Sequence, residues 1–401
     1  MNPESSPFRP GQPVPVELFV GRTTEIERLR SMAKASVQGR FKIGFVSGER
    51  GIGKSSLVSF VRHLVGREND VAGCHVFLGG ARDLDEMIRR TFDRLLKESM
   101  DKPWESAVKD FFGKYVRQVG LFGITLELDL KGEDLSALTH GFVPSVRQLI
   151  DKLGEQKKKA LLLILDDING LASSEDVANW LKSTVDEIAT SEKETQLCIL
   201  IVGLEGRRQE LVARQPSLAR VFDLIDIPTW SDDEVKQFYQ STFESASASV
   251  TDEGMGVLVR FTGGLPVLAH EIGDAVWREA QGPEITPDEV GDGILTAAEI
   301  VRSKLLEPQV FSAIRSGRYR SMLRKMIDPD KPLQMRFQRA QLAERLTDEE
   351  KRVLDNFLKK MRKLGVLMPD SEMHGGYHFQ NRLHALCFWM EAQSAKRQSE
   401  R

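Results

Sequence analysis

The stretch that most constrains the fold is Gly48-Glu49-Arg50-Gly51-Ile52-Gly53-Lys54-Ser55, which fills every fixed position of the pattern G-x-x-x-x-G-K-[ST]. A short apolar run at residues 41–46 precedes it, and apolar residues recur at helical spacing over residues 57–65. The stretch therefore has the strand, turn and helix context that the pattern requires, which argues against an ordinary Gly-rich turn. In such a unit, glycines let the backbone wrap an anion while the first N–H groups of the helix point at it.

The residues of this loop have separate predicted roles. We expect the backbone of residues 48–53 to cradle the phosphates of a nucleotide, and Lys54 to reach the β- and γ-phosphates. The Ser55 hydroxyl is a predicted ligand of Mg²⁺, because hard cations prefer oxygen donors. Ser56, the next residue of the helix, completes the predicted nucleotide-binding loop.

A second motif, Leu161-Leu162-Leu163-Ile164-Leu165-Asp166-Asp167, predicts a buried strand that ends in two carboxylates. Open α/β sheets bind their ligands at the carboxyl ends of their strands. We therefore expect Asp166 to hold Mg²⁺, directly or through water, and Asp167 to orient or deprotonate an attacking water. Paired aspartates also occur as plain helix caps, and the phosphate loop upstream favours the catalytic interpretation.

Composition limits the class of protein. A chain of 401 residues exceeds one hydrophobic core, so two or three domains are expected. With 56 basic and 59 acidic residues, the net charge of −3 gives no bulk indication of a nucleic-acid partner. Cys74, Cys198 and Cys387 are widely separated and are expected to be buried thiols of a reducing cytosol. No signal segment and no apolar run of transmembrane length is found, so we expect a cytoplasmic protein without a membrane partner.

The order of patterns predicts an α/β fold in which helices sandwich a parallel P-loop sheet, followed by a helical lid and a C-terminal winged-helix domain. The expected parts are a Pro-rich tail at 1–18, a P-loop domain at 19–229, a lid at 230–285 and a winged-helix-like domain at 286–401. Within the P-loop domain, residues 79–159 read as a mostly helical insertion at the sheet edge. That insertion includes a helical pattern over residues 104–119.

Several element boundaries follow from local signals. Capping boxes are predicted at Thr24 with Glu27, Ser231 with Glu234 and Thr347 with Glu350, and Thr286 is a predicted N-cap. In the last domain we expect helices at 309–327, 338–346, 348–364 and 382–393 and a wing hairpin of strands 366–368 and 377–380.

Residues 19 to about 280 resemble the AAA+ and STAND branch of P-loop ATPases, and are similar to the initiator ATPases of the origin-recognition family. Besides the two motifs above, which look like Walker A and Walker B, three further elements carry the resemblance. Phe19-Val20-Gly21-Arg22 looks like the box that lies over adenine, Arg220 looks like an arginine presented to a neighbouring γ-phosphate, and Gly264-Leu265-Pro266 looks like the G-x-P element of a STAND lid.

The resemblance implies an ATPase that uses ATP and Mg²⁺, binds nucleotide through Val20, Gly21, Arg22 and Pro266, and uses Arg220 in catalysis between subunits of a homo-oligomer. On local rules alone, Arg220 could equally be a solvated surface arginine and Pro266 a first-turn helix proline. The stretch Leu200-Ile201-Val202-Gly203-Leu204-Glu205 departs from the family pattern because it lacks the sensor asparagine or threonine, and the lid lacks a sensor arginine. Asp167 also stands where the family usually has glutamate.

These departures favour slow turnover, and hence a nucleotide-driven switch that repositions the winged helix. The output stays open between a DNA-binding initiator or transposition ATPase, a signalling or defence regulator that contacts a partner protein, and a scaffold without turnover. DNA could contact basic residues of the predicted helix at 348–364, although this helix also carries four acidic residues, Asp348, Glu349, Glu350 and Asp355.

Overall fold

The computed structural model describes residues 5–12, 20–68, 70–119, 125–128, 132–314, 316–331, 333–370, 373–379 and 382–400. The chain forms two compact units. We call Pro15–Gly48 with Gly53–Pro228 the sheet unit, and Met1–Val14 with Glu49–Ile52 and Thr229–Arg401 the helical unit. No helix among the described residues is long and apolar enough to cross a membrane.

The sheet unit alternates strands with helices. Its elements are α1 (Thr23–Val37), β1 (Lys42–Gly48), α2 (Lys54–Arg67), β2 (Val71–Phe77), α3 (Leu84–Ser99), α4 (Glu105–Phe112), β3 (Val116–Val119), β4 (Thr125–Leu128), α5 (Gly132–His140), α6 (Phe142–Glu155), β5 (Ala160–Asp166), α7 (Glu175–Thr190), β6 (Leu197–Val202), α8 (Glu205–Arg214) and β7 (Asp223–Ile227). Short 3₁₀ turns at Ile168–Gly170 and Pro216–Arg220 precede α7 and β7.

The central sheet has five strands in the order β2-β5-β6-β1-β7, and every neighbouring pair is parallel. The predicted parallel sheet is therefore confirmed. Because β6 lies between β1 and β5, the register pairs Val202 of β6 with both Val46 and Asp166. The phosphate loop follows β1, and the acidic pair follows β5. The carboxyl ends of these two strands therefore lie at the same end of the sheet, on either side of β6.

Helices cover both faces of this sheet, as alternation along β1 shows. A Cβ on Gly44 would lie 2.8 Å from Met32 Cε of α1, so α1 packs closely on this face. The next residue, Phe45, points to the opposite face, is fully buried and joins a large apolar cluster. Neighbouring strand residues point to opposite faces, so the two contacts identify two helical layers.

The interval between β2 and β5 is part of this core. Side chains of α3, α4 and α6, among them Phe92, Val108 and Leu149, belong to the same buried cluster as Leu163 of β5. The helices of this insertion therefore contribute to the core of the sheet unit, and its expected position at the sheet edge stays a prediction. Within it, α4 ends at Phe112, and β3 and β4 pair as an antiparallel hairpin. The predicted helix over residues 104–119 is thus wrong beyond Phe112.

The start of α1 also differs from expectation. The helix begins at Thr23, its N-cap is Arg22 in the left-handed conformation with φ 62°, and no side chain caps it among the described residues. The predicted capping box of Thr24 with Glu27 is therefore wrong. The predicted free, buried cysteines are confirmed for Cys74 and Cys198, where burial raises the pKa of both thiols to about 12, and also for Cys387.

The helical unit contains no long strand among its described residues. Its elements are α9 (Asp232–Ser245), β8 (Ser249–Val250), α10 (Asp252–Thr262), α11 (Pro266–Glu279), β9 (Glu284–Ile285), α12 (Pro287–Val301), α13 (Gly317–Lys325), β10 (Arg336–Gln338), α14 (Arg339–Glu344), α15 (Asp348–Lys351), α16 (Leu354–Lys363), β11 (Leu367–Pro369), β12 (Gly376–Phe379) and α17 (Arg382–Glu400). A π-helical segment, Arg302–Phe311, continues α12. The capping boxes predicted at Ser231 and Thr347 and the cap at Thr286 are confirmed.

The C-terminal part of this unit carries a small antiparallel sheet in the order β10-β12-β11. The predicted hairpin strands pair as expected, and β10 adds a strand that the pattern did not indicate. Two predicted helices are each broken, one between Phe311 and Gly317 and the other between Lys351 and Leu354. The assignment of this part as a winged helix stays a prediction.

The N-terminal segment at residues 5–12 packs within the helical unit. Phe8 is 4% exposed, and its ring lies 4.9 Å from that of Phe243 and 5.9 Å from that of Phe238. A Cβ on Gly273 would approach the Phe8 ring to 2.3 Å. The absence of a side chain at Gly273 therefore makes room for this aromatic anchor. The segment around Phe8 is thus held by packing.

Candidate functional site

The phosphate loop places glycines where its backbone takes conformations that other residues avoid. Gly51 and Gly53 have φ of 81° and 93°, in the left-handed region. The Lys54 ammonium donates a hydrogen bond to the Gly48 carbonyl, with 2.9 Å between Nζ and O. The Lys54 side chain therefore reaches from the start of α2 back to the end of β1.

Helix α2 begins at Lys54 with an uncompensated positive end. Its first turn contains no acidic residue, and no described side chain caps it. The peptide dipoles of a 14-residue helix favour an anion at such an end, and Lys54 adds a full charge. Ser55 and Ser56 follow in the same turn. The loop and helix start thus fit the phosphates of a nucleotide.

Asp166 closes β5 as a buried carboxylate that has a partner. His75 Nε2 lies 2.9 Å from Asp166 Oδ2, and the two residues are 2% and 3% exposed. An ionised carboxylate can only accept, so the imidazole N–H donates. Because this contact uses one carboxylate oxygen, it orients the other. The carboxylate of Asp166 and the hydroxyl of Ser55 are both oxygen donors of the kind that Mg²⁺ prefers.

Asp167 is exposed, whereas its neighbour Asp166 is buried. Its backbone lies in the left-handed region with φ 60°. Asn169 Nδ2 donates to Asp167 Oδ1. On the other side, a Cβ on Gly79 would lie 2.8 Å from Asp167 Oδ2, so glycine there leaves room for the carboxylate. Asp167 is therefore an accessible carboxylate with a fixed direction.

In the helical unit, the phosphate-loop residues Glu49–Ile52 contact α11. The Val267 N–H of α11 donates to the Gly51 carbonyl at 3.3 Å, and a Cβ on Gly51 would lie 2.5 Å from Val267 Cγ1. Pro266, the first residue of α11, is therefore adjacent to the residue that contacts the loop. The charge of Arg50 also acts on His384 of α17, whose pKa is lowered to about 4 by burial and further by Arg50.

The structure places the remaining predicted residues at other points of the sheet unit. Val20 and Gly21 precede α1 and are half-buried, and Arg22 is 5% exposed. Phe19, quoted for the resemblance, lies outside the described residues.

Arg220 is exposed at the end of the Pro216–Arg220 turn, immediately before the edge strand β7. The register pairs Gly48 with Ile227 at the far end of β7, about 13 Å along this strand of five residues. The backbone of Arg220 is thus near the opposite end of the sheet from the phosphate loop of its own chain.

Sequence reasoning missed two residues of this site, His75 and Asn169. His75 is one of seven histidines and lies between Cys74 and Val76 in β2, and nothing local marks it as a partner of Asp166. Asn169 follows Asp167 by two residues, a spacing that turns commonly use. The contacts of His75 with Asp166 and of Asn169 with Leu204 join segments that are far apart in sequence.

In this parallel sheet, the strand before the phosphate loop and the strand that ends in the carboxylate pair lie on either side of β6. This arrangement defines a P-loop ATPase of the α/β class. The sequence profile of the family described as AAA ATPase domain matches residues 18–249. The chain belongs to this family, and its sheet unit is accordingly a nucleotide-binding ATPase domain.

Two solved structures share this fold over nearly the whole chain. The Walker-type ATPase of Pyrococcus abyssi matches with a TM-score of 0.55 at 14% identity, covering 92% of this chain and 96% of the other. The ORC2 protein of Aeropyrum pernix, solved in ADPNP and ADP complexes, matches with a TM-score of 0.55 at 13% identity, covering 98% and 97%. No curated protein matches the sequence.

Proposed function

We propose that this protein is a slow, Mg²⁺-dependent ATPase that works as a switch, in which the nucleotide bound at the phosphate loop changes the helical unit. The observation that carries this proposal is that Glu49–Ile52 of the loop pack within the helical unit. There Gly51 accepts a hydrogen bond from Val267 of α11 at 3.3 Å, and a Cβ on Gly51 would lie 2.5 Å from Val267 Cγ1. Phosphates that rearrange this loop would therefore change its contact with α11.

The proposed catalytic roles follow the geometry of the site. Lys54 and the start of α2 hold the phosphates, Ser55 and Asp166 hold Mg²⁺, and Asp167 directs the attacking water. Bound Mg²⁺ would neutralise charge on the phosphates. Slow turnover is supported by the short Asp167 side chain. The complexes of the Aeropyrum ORC2 protein with ADPNP and ADP are consistent with ATP as ligand.

Calorimetry with ATP and Mg²⁺ tests the nucleotide site. We expect Lys54→Ala to abolish tight binding, because water cannot replace a point charge at the phosphates. Lys42→Ala is the matched control, since Lys42 starts β1 at the opposite end and pairs with Asp223 at 3.5 Å. Unchanged affinity of the Lys54 variant, or equal loss in both variants, would contradict the proposal.

Asp167→Asn tests turnover separately. The amide keeps the size of the side chain but cannot accept a proton, so binding should persist while hydrolysis falls. Glu205→Gln is the control, because Glu205 accepts from Arg208 Nε at 2.9 Å, and this contact lowers its pKa. Normal hydrolysis by the Asp167 variant together with a loss in the Glu205 variant would move the role to Glu205.

Hydrogen exchange tests the switch. Amide protection of α11 should differ between the nucleotide-free, ADP-bound and ATP-bound chain, because the loop contacts this helix. Binding of ATP without any change in α11 would refute the switch while leaving the ATPase assignment intact.

A second candidate, DNA contact through α16, is favoured by one observation. The acidic residues near this helix are occupied by partners: Glu350 contacts Lys325 at 2.8 Å, and Asp355 contacts Arg339 at 2.8 Å. Among the described residues, no ion-pair partner is found for three exposed bases of α16, and these are Lys359, Arg362 and Lys363.

Binding of duplex DNA that weakens steeply with salt, and that Lys359→Ala and Lys363→Ala reduce, would favour an initiator-type or transposition-type ATPase. Assembly with ATP but without DNA would instead favour a signalling or defence regulator. Binding of ATP without turnover would leave a nucleotide-dependent scaffold.

A further inference from the structure

We propose that Asn169 is a positioning residue that supplies the side-chain amide missing from the end of β6. This inference rests on the ATPase function proposed above and adds a residue to its site. Asn169 lies in the Ile168–Gly170 turn after β5, so the amide comes from the strand that also carries Asp166 and Asp167.

The Asn169 side chain connects the ends of two neighbouring strands. Its Nδ2 donates to Asp167 Oδ1, and its Oδ1 accepts from the Leu204 N–H at 3.1 Å. Leu204 comes two residues after Val202, the last residue of β6. The amide therefore occupies the gap between β5 and β6, beside the carboxylate that directs the water.

The orientation of this amide is fixed by chemistry. A backbone N–H can only donate, so the atom facing Leu204 must be the Asn169 oxygen. The opposite end is then the NH₂ group, and it faces the acceptor Asp167. Both ends of one side chain are matched to their partners, which no other residue of similar size provides.

The surroundings leave room for this arrangement. Ile168 is fully buried and anchors the turn, and a Cβ on Gly203 would lie 2.9 Å from Ile168 Cγ2 and 3.4 Å from Asn169 Oδ1. A glycine at 203 therefore lets the turn approach the end of β6. On the far side of Asp167, Gly79 leaves room for the other carboxylate oxygen.

The two contacts of Asn169 have different consequences. The hydrogen bond from the Leu204 N–H to Asn169 Oδ1 joins the turn after β5 to the segment after β6, and it contributes to the stability of the folded chain. Donation to Asp167, which is exposed, adds little stability because water competes for that carboxylate. This donation instead fixes the orientation of the Asp167 carboxylate. Orientation matters because a carboxylate can take a proton from a water only in a narrow range of geometries.

Substitution by aspartate separates the two contacts. Asn169→Asp keeps the size and the oxygen that accepts from Leu204, but it replaces the donor facing Asp167 with a second acceptor. We expect thermal stability and ATP affinity close to those of the unmodified chain, KM unchanged, and kcat at saturating Mg²⁺ lowered about 10²-fold. Asn169→Ala should lower kcat similarly and also reduce thermal stability, because both contacts are lost.

Asn179→Asp is the matched control, because it makes the same chemical change on an exposed position of α7. It should leave kcat unchanged. An Asn169→Asp chain with normal kcat would overturn the inference and leave the ATPase assignment standing, because the amide would then only join β5 to β6.

A chain that binds ATP but never hydrolyses it would refute the proposed turnover instead. The geometry is then tested by nuclear magnetic resonance of asparagine-labelled protein. The Asn169 amide protons should shift upon Asp167→Ala, because they lose their acceptor. An Asn169 signal that does not respond to this substitution overturns the inference independently of activity.

Discussion

Acidification is expected to destabilise the helical unit, because two of its histidines are buried in the neutral form. His270 is 3% exposed, lies 4.9 Å from the ring of Phe238, and accepts the Arg9 N–H on Nδ1 at 3.3 Å. Burial lowers the pKa of His270 to about 4. His384 is 9% exposed, and burial, with a further contribution from Arg50, lowers its pKa to about 4.

The size of the effect follows from these values. In the unfolded chain a histidine titrates near its ordinary pKa of about 6.5. Between the unfolded and folded values the unfolded state binds more protons, so stability is fully present above about pH 6.5 and is lost as the pH falls towards 4. At about pH 5, each histidine should reduce the free energy of unfolding by about 2 kcal/mol.

Urea unfolding at about pH 7.5, 6 and 5 measures this loss, which should total about 4 kcal/mol for both histidines. His270→Gln and His384→Gln should each remove about half of the pH dependence, since glutamine does not titrate. His63→Gln, at an exposed position on α2, is the control and should remove none of it. A flat free energy of unfolding over this range, or a full pH dependence in the double variant, would refute the reasoning.

Three further predictions concern single contacts. Arg220→Ala should preserve ATP affinity but lower turnover about 10³-fold, because the arginine would act on a neighbouring subunit. Mixing this variant with Lys54→Ala subunits should restore part of the activity. An inactive mixture of demonstrably co-assembled subunits would exclude this role. His75→Ala should cost about 3 kcal/mol in urea unfolding, since it leaves the buried Asp166 carboxylate without its donor, and His75→Gln should cost less. Phe8→Ala should cost up to about 3 kcal/mol and expose residues 5–12 to protease; unchanged cleavage would show that packing does not hold this segment.

Local signals were sufficient for much of the fold. The phosphate loop, the apolar strand before it and the strand ending at Asp166 could be predicted because each depends on residues adjacent in the chain. The capping boxes at Ser231 and Thr347 were predictable for the same reason, since a cap involves residues only three apart. Even a local signal failed at α1, where Arg22 in the left-handed conformation is the N-cap and the helix begins at Thr23, one residue before Thr24.

The tertiary structure decided which of these pieces meet. The position of β6 between β1 and β5 brings Asn169 to the Leu204 N–H, and the pairing of β2 with β5 brings His75 to Asp166, 91 residues away. The contact of Gly51 with Val267 likewise joins segments more than 200 residues apart in the numbering. Periodicity and motif spacing specify faces and ends of elements, whereas strand order and register depend on how all the apolar faces of the chain are buried together.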